Sequence, residues 1–501
     1  METAAQAKVT LAATPKELWE GLRPDWLVVK ELGNQTEHWQ RRVCHYRQQL
    51  ERSHQQHCRS DYDSKNLANS RRPLLLLAEA EAADFLAGFM AALLADWDVA
   101  LANPRWGQQE WQSVGQPIRP DWVLGKNPFP VDGPVLSENI NRQRTAQSAI
   151  LIPTGGSSGQ IKFACHTWDS LMASVSGFLQ FFCPQAQPVN SYCTLPLYHV
   201  SGLMQILRTW RSGGQTTLLS WKTLSPFPPF PLPHTYLSLV PTQLQHLLHT
   251  GQTPWLRHFR AVLLGGAPAW PDLLNHAADQ RIPLSLSYGM TETAAMVTAL
   301  SPEAFLRGDR SSGRALPHVT VRIEQNGQIL PAKTNGQIVI HSPATALGYH
   351  HLSSPSFLSN TFYTDDLGYL SAEGDLYITG RISGKIISGG ENVFPAEVET
   401  AIRSTKLVKD VCVIGMPDRQ WGEAVVAAYV PVNASVSVEG LKAAIALKLS
   451  RYKQPKHWVC LEALPRNAQG KINRQGLLAH LSPVSSLEAQ PLANGDGDRP
   501  R

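Results

Sequence analysis

Ile150-Leu-Ile-Pro-Thr-Gly-Gly-Ser-Ser-Gly-Gln-Ile-Lys162 runs from an apolar stretch into a loop holding Gly155, Gly156 and Gly159. Hydroxyls stand at Thr154, Ser157 and Ser158, and Lys162 follows three residues after the last glycine. Glycines let backbone N–H groups converge on an anion, hydroxyls donate further hydrogen bonds, and a lysine adds charge. The pattern is not a Walker loop, because Gly-x-x-x-x-Gly-Lys-Ser/Thr cannot be laid on it. Alone, the segment admits two readings, a phosphate-holding loop and a flexible surface hairpin.

Outward from this stretch, apolar runs alternate with helical periodicity. Leu74–Leu77 reads as a strand, Phe85 to Leu94 recurs at helical spacing, and Val99–Leu101 is a second strand. The pattern returns as a strand at Tyr236–Val240, a helix opened by Pro241, a strand at Val262–Leu264, a helix near Asp272–Ala278 and a strand at Leu284–Ser287. Such alternation predicts an α/β fold, a large N-terminal domain of mainly parallel sheets covered by helices. The proline-rich run Ser225–Pro233 reads as an extended connector, and Gly380–Gly390 as a hinge-like stretch. Beyond it a small α+β domain is expected, with strands near 411–414, 425–430 and 458–461 and a helix near 441–449. The domain limits implied are 1–382, 383–480 and a disordered tail at 481–501.

Further segments strengthen the phosphate reading. Tyr288-Gly-Met-Thr-Glu-Thr293 offers an aromatic face, a hydroxyl and a carboxylate, enough to stack a base, touch a phosphate and hold Mg²⁺. Tyr363-Thr-Asp-Asp-Leu-Gly-Tyr369 presents paired acids that could grip a ribose diol. Gly380-Arg381, Ser388-Gly-Gly-Glu-Asn392 and Asn467-Ala-Gln-Gly-Lys471 follow in order. Each alone is explained by a turn, a cap or a surface charge; the ordered series is not.

In that order and spacing the segments resemble the core motifs of the adenylate-forming superfamily of acyl-CoA synthetases, peptide-synthetase adenylation domains and beetle luciferases. The resemblance runs from about Leu74 to Leu477. Within the superfamily the chain looks most like the 2-succinylbenzoate–CoA ligases of menaquinone and phylloquinone biosynthesis. That narrower likeness rests on Pro-Thr-Gly-Gly-Ser-Ser-Gly, on Pro196-Leu-Tyr-His-Val-Ser-Gly-Leu-Met204 and on the short overall length. It implies ATP, Mg²⁺ and coenzyme A as cofactors or substrates and a small carboxylic acid as partner. Another aromatic or medium-chain acyl-CoA synthetase, or a free-standing carrier-loading adenylation enzyme, would share the same ATP motifs.

The resemblance implies roles residue by residue. Thr154, Ser157, Ser158, Gly159 and Lys162 would meet the β- and γ-phosphates. Gly265, Gly266, Ala267 and Pro268 would wall the adenine opposite Tyr288. Thr291 would touch the α-phosphate, Glu292 would bind the metal, and Asp366 and Arg381 would hold the ribose. Lys471, on a small mobile domain, would bridge the attacking carboxylate and the α-phosphate. Ser383–Gly384 would form the hinge, and Gly389 and Gly390 would line the pantetheine channel. His199 is a structural residue or an acid contact when read alone, and the resemblance sets it at the acyl pocket. Arg208 and Arg211 are candidates to meet a second carboxylate, against the plain alternative of two solvent-facing arginines. Ile161, Phe163 and Ser383 depart from the usual Pro, Gly and Asp.

Composition excludes other classes. A net charge of +5 over 501 residues gives no reason to expect a nucleic-acid or membrane partner. The arginine- and histidine-rich segment Glu37–Arg72 reads as a solvated surface. Seven cysteines without a Cys-x-x-Cys pair fit a reducing compartment, and no secretory signal is visible over Met1–Leu11, so a cytoplasmic location is expected. Acids at 79, 81, 84, 96 and 98 interrupt the most apolar stretch and speak against a membrane span.

Overall fold

Leu74, Leu75, Leu76, Leu77 and Ala78 are all 0% exposed, the signature of a strand covered on both faces. In the computed structural model this strand, Leu74–Ala78, pairs in parallel with Asp98–Leu101 and Trp122–Gly125. Asp98–Leu101 pairs in parallel with Ile150–Gly155, which turns back antiparallel to Ile161–His166. The structure describes residues 13–29, 33–60, 72–126, 147–155, 161–219, 233–382, 384, 386–388, 391–418, 421–446, 448–449, 451–466 and 471–481. The expected connector at 225–232 and the tail from 482 lie outside them.

A nine-stranded sheet forms the second layer. Its parallel centre runs through Leu284–Met290, Ala261–Leu264, Thr235–Leu239, Asn190–Cys193, Thr216–Leu218 and Leu27–Val29. Antiparallel strands close it at Ala295–Ala299 and Arg314–Ala315 on one side and Gly33–Asn34 on the other. The helices Ala82–Leu94, Trp168–Phe182 and Val200–Ser212 contribute to one continuous apolar core with residues of these sheets.

Two findings differ from the sequence reading. Thr36–Ser60 is a helix whose Trp39, Val43, Tyr46 and Leu50 are buried, a stripe at spacings of three and four that its polar majority conceals. The ring of Trp39 lies 4.8 Å from that of Trp26 and 5.8 Å from that of Trp210. The described arginines and histidines of 37–54 are exposed or half-buried, as a solvated surface requires; the apolar stripe beneath them is what the sequence reading lacked. A third sheet of six strands, in which Gly336–His341 pairs antiparallel with both Thr320–Gln325 and Thr361–Leu370, was not anticipated. Its strands bury alternate residues rather than apolar runs.

Among the described residues, contacts separate two compact units: Met1–Ala269 with Leu273–Ile378, and Trp270–Asp272 with Thr379–Arg501. In the second unit, Val408–Asp418 and Gly422–Pro431 form a long antiparallel pair, extended in parallel by His457–Cys460. The helices Pro395–Arg403 and Val438–Ala446 supply one of its cores, and Arg474–Leu481 supplies the other. Among the described residues no helix is long and apolar enough to cross a membrane.

Candidate active site

The opening motif is a β-hairpin in which Thr154 faces Lys162 and Gly155 faces Ile161. Ser157, Ser158 and Gly159 lie outside the described residues. Lys162 Nζ sits 5.1 Å from the centroid of the Tyr349 ring, a cation–π approach. Phe163, where the superfamily usually has glycine, is 2% exposed and edges against Trp106. That departure serves the core and turns away from the loop.

Three further segments follow the carboxyl ends of parallel strands in the nine-stranded sheet: Thr194–His199, Gly265–Pro268 and Thr291–Thr293. In open parallel sheets this is the edge at which ligands collect. The backbone there is constrained. Ala294 and Ala295 both take left-handed φ values, 50° and 78°, immediately after the turn. Such strain in residues with a Cβ persists only where surrounding structure enforces it. Gly289 is required nearby, because a Cβ there would stand 1.8 Å from the Ala295 carbonyl oxygen.

Two side chains that sequence reasoning missed hold this turn. His166, 0% exposed at the end of the hairpin, donates from Nε2 to the Thr291 carbonyl at 2.7 Å. Its Nδ1 meets Ser170 Oγ at 3.0 Å. A carbonyl can only accept, so the proton belongs on Nε2. Tyr349 donates its phenol to Glu292 Oε1 at 2.8 Å, and Glu292 is 8% exposed. Burial, with the Glu292 charge beside it, pushes the Tyr349 phenol far up.

Burial pulls the His166 imidazole down to about 4, although its bond to the Thr291 backbone raises it somewhat. Between that value and its ordinary 6.5 the unfolded chain binds a proton that the folded chain refuses. Stability is therefore lost as pH falls through this window, by roughly 2 kcal/mol from pH 7 to pH 5. Urea unfolding of a His166→Gln variant is expected to show a shallower fall over that range than the parent. An unchanged slope would mean the imidazole is not held neutral.

Tyr288 donates its hydroxyl to Asp366 Oδ2 at 2.7 Å, and both residues are buried. Alternation along Thr361–Leu370 turns Asp366 inward, and the Asp366 amide donates to Thr364 Oγ1 at 3.0 Å. Gly265 adjoins Ser287 on the neighbouring strand, whereas Gly266, Ala267 and Pro268 are exposed. The structure thus joins Tyr288 of the nine-stranded sheet directly to Asp366 of the antiparallel one.

His199 occupies the N-cap of Val200–Ser212, its ring 4.7 Å from that of Tyr198. On the same helix Arg208 is 4% exposed, with its Cζ 4.1 Å from the Phe178 ring centroid. Its Nε has no partner among the described residues, and burial alone pulls the guanidinium down to about 9. Arg211, in the last turn, is half-buried. The solvent-facing alternative fails for Arg208.

In the second unit, Arg381 is exposed at the end of Leu376–Arg381. Lys471 is exposed just before the bridge of Ile472 to Arg466. Ser383, Gly389 and Gly390 lie outside the described residues. Among the described residues no group of three His, Cys, Asp or Glu side chains could hold a metal.

The AMP-binding enzyme family matches residues 91–350, and the AMP-binding enzyme C-terminal domain matches residues 397–471. The 2-succinylbenzoate–CoA ligase of Bacillus anthracis (strain A0248) is 33% identical over 355 residues, spanning 69% of this chain and 73% of that protein. The o-succinylbenzoate CoA synthetase of Bacillus subtilis bound to its acyl-adenylate intermediate OSB-AMP superposes with a TM-score of 0.74 at 25% identity, covering 91% of this chain and 98% of that one. The same enzyme bound to ATP and magnesium ion gives 0.74 at 25% identity, covering 93% and 98%.

Proposed function

The chain belongs to the AMP-binding enzyme family, and on that premise we propose that it is an AMP-forming acid–CoA ligase acting on 2-succinylbenzoate. A carboxylate oxygen attacks the α-phosphorus of ATP, the bond to the bridging oxygen breaks, and pyrophosphate leaves. The CoA thiol, losing its proton, then attacks the acyl carbon and AMP departs with the bonding pair. The product enters menaquinone or phylloquinone biosynthesis.

The family resemblance assigns the residues. Thr154, Ser157, Ser158, Gly159 and Lys162 take the outer phosphates, and Thr291 the α-phosphate. Tyr288 lays its ring on the adenine opposite Gly265, Gly266, Ala267 and Pro268. Its bond to Asp366 fixes the carboxylate that, with Arg381, receives the ribose hydroxyls, since one carboxylate accepts several donors. His199 contacts the acid, Gly389 and Gly390 line the path of the thiol, and the small domain carries Lys471. Magnesium belongs to the same proposal: it is ordinarily held by one or two carboxylates plus substrate phosphates, which suits a single Glu292 better than a full protein cage. When bound there it would neutralise charge on the departing phosphates. Six described cysteines are free thiols, in keeping with a reducing cytoplasm.

The observation that carries the choice of acid is Arg208. A buried guanidinium with no carboxylate against it among the described residues is costly unless a ligand supplies one. The second carboxylate of 2-succinylbenzoate would do so. Pyrophosphate release with ATP, Mg²⁺ and a panel of acids, with and without CoA, tests the proposal. Selective response to 2-succinylbenzoate, with thioester accumulating when CoA is present, is expected. A better response to monocarboxylic acids would defeat the choice of acid, and a response to none would shift weight to a carrier-protein acceptor.

Tyr349→Phe should leave Glu292 short of one donor. We expect the Mg²⁺ concentration for half-maximal pyrophosphate release to rise about 10- to 100-fold, the usual cost of losing a partner that orients a metal-ligating carboxylate. No change in Mg²⁺ dependence would remove Tyr349 from the metal's surroundings.

A further inference from the structure

His318 lies in the turn between Arg314–Ala315 and Thr320–Gln325. Its carbonyl accepts from Ser342 Oγ at 3.0 Å, so its backbone is pinned. Its ring fills a recess that only glycine leaves open: a Cβ on Gly177 would stand 1.8 Å from Nδ1 and 2.6 Å from Cγ. The next residue on that helix, Phe178, carries the Arg208 guanidinium on its ring face. Both ring nitrogens of His318 are shielded from solvent and have no partner among the described residues. Burial first, and the charge of Arg208 second, pull the imidazole down to about 4, which keeps it neutral.

A neutral imidazole has one N–H to donate, and Arg208 Nε–H is a second donor likewise unmatched. Two unmatched donors, one on a ring held against Gly177 and the other on a guanidinium over Phe178, the next residue of the same helix, call for a group that offers acceptors, and a carboxylate offers only acceptors. We propose that His318 is a specificity-determining residue, which donates a hydrogen bond to the distal carboxylate of the acid alongside Arg208. This rests on the dicarboxylic-acid reading above and adds a residue from the turn before Thr320–Gln325 to that subsite. Gly177 belongs to the device, since it makes room for the ring.

The test compares the full-length parent, His318→Leu and His318→Gln on two acids, 2-succinylbenzoate and 4-oxo-4-phenylbutanoate, which keeps the reacting aliphatic carboxylate and lacks the distal carboxylate on the ring. His318→Leu is expected to raise KM for 2-succinylbenzoate roughly 10- to 50-fold, the effect of losing one hydrogen bond to a charged group. KM for ATP should stay within about twofold, and kcat/KM for 4-oxo-4-phenylbutanoate should hold or improve. The amide of His318→Gln should restore part of the affinity. An unchanged KM for 2-succinylbenzoate, or equal losses on both acids, overturns the proposal. If the parent does not activate 2-succinylbenzoate, the function reading fails by itself. His318 is then judged on whichever acid the parent prefers: a dicarboxylate weakened by His318→Leu sustains the proposal, and a monocarboxylate overturns it.

Discussion

Alanine in place of Lys471 is expected to slow pyrophosphate release about 10²- to 10³-fold, while thioester formation from a supplied acyl-adenylate stays within about threefold of the parent. The reason is electrostatic. The first step brings a carboxylate against a phosphate, so anion meets anion, and a cation placed between them stabilises the transition state more than the ground state. The second step brings a thiol to an acyl group whose phosphate charge is already dispersed in the leaving AMP. A lysine serving only the first step should be dispensable in the second. Pyrophosphate release and CoA thioester formation, measured separately, check the split. Equal loss in both steps would contradict the assignment.

Arg208→Met should separate activity from stability. With 2-succinylbenzoate, kcat/KM is expected to fall about 10²- to 10³-fold, because truncating one side of a buried charge pair costs about 3–5 kcal/mol. The ligand-free protein should gain stability, by about 1–4 kcal/mol, because an unmatched buried cation is exchanged for an apolar side chain of similar length. Thermal or denaturant unfolding without acid, set beside turnover, provides the check. A destabilised variant would mean that the guanidinium is satisfied within the protein, and the second-carboxylate reading would lose its footing.

The parts legible in the sequence are those in which burial is uniform. Leu74–Ala78 and Ala261–Leu264 declare themselves because strands covered on both faces are apolar at every position. Thr361–Leu370 does not, because every second residue faces outward and the run reads as polar. The Thr36–Ser60 helix is obscured in the same way, its buried stripe diluted by arginine, glutamine and histidine. At the site, single residues could be read from their motifs, but their partners could not. Tyr288 and Asp366 are 78 residues apart, Tyr349 and Glu292 are 57 apart, and His166 and Thr291 are 125 apart. Local pattern contains nothing that fixes such pairings. Arg208 and Arg211 show the same limit on a smaller scale, since only the point at which the helix emerges from the core distinguishes them.

The strand Leu27–Val29 finds its parallel neighbour, Thr216–Leu218, about 190 residues later in the chain. At ordinary translation speeds of about 5–20 residues per second, it waits about 10–40 s on the ribosome before that neighbour exists. Trp26 and Trp39 share the delay, since Trp210 packs against both. The amino-terminal segment is thus a latch that engages late, after the helix Val200–Ser212 has been made. A nascent chain halted before that point would hold Trp26 and Trp39 without their Trp210 partner and a strand edge unpaired, the state in which such a protein is most exposed to aggregation.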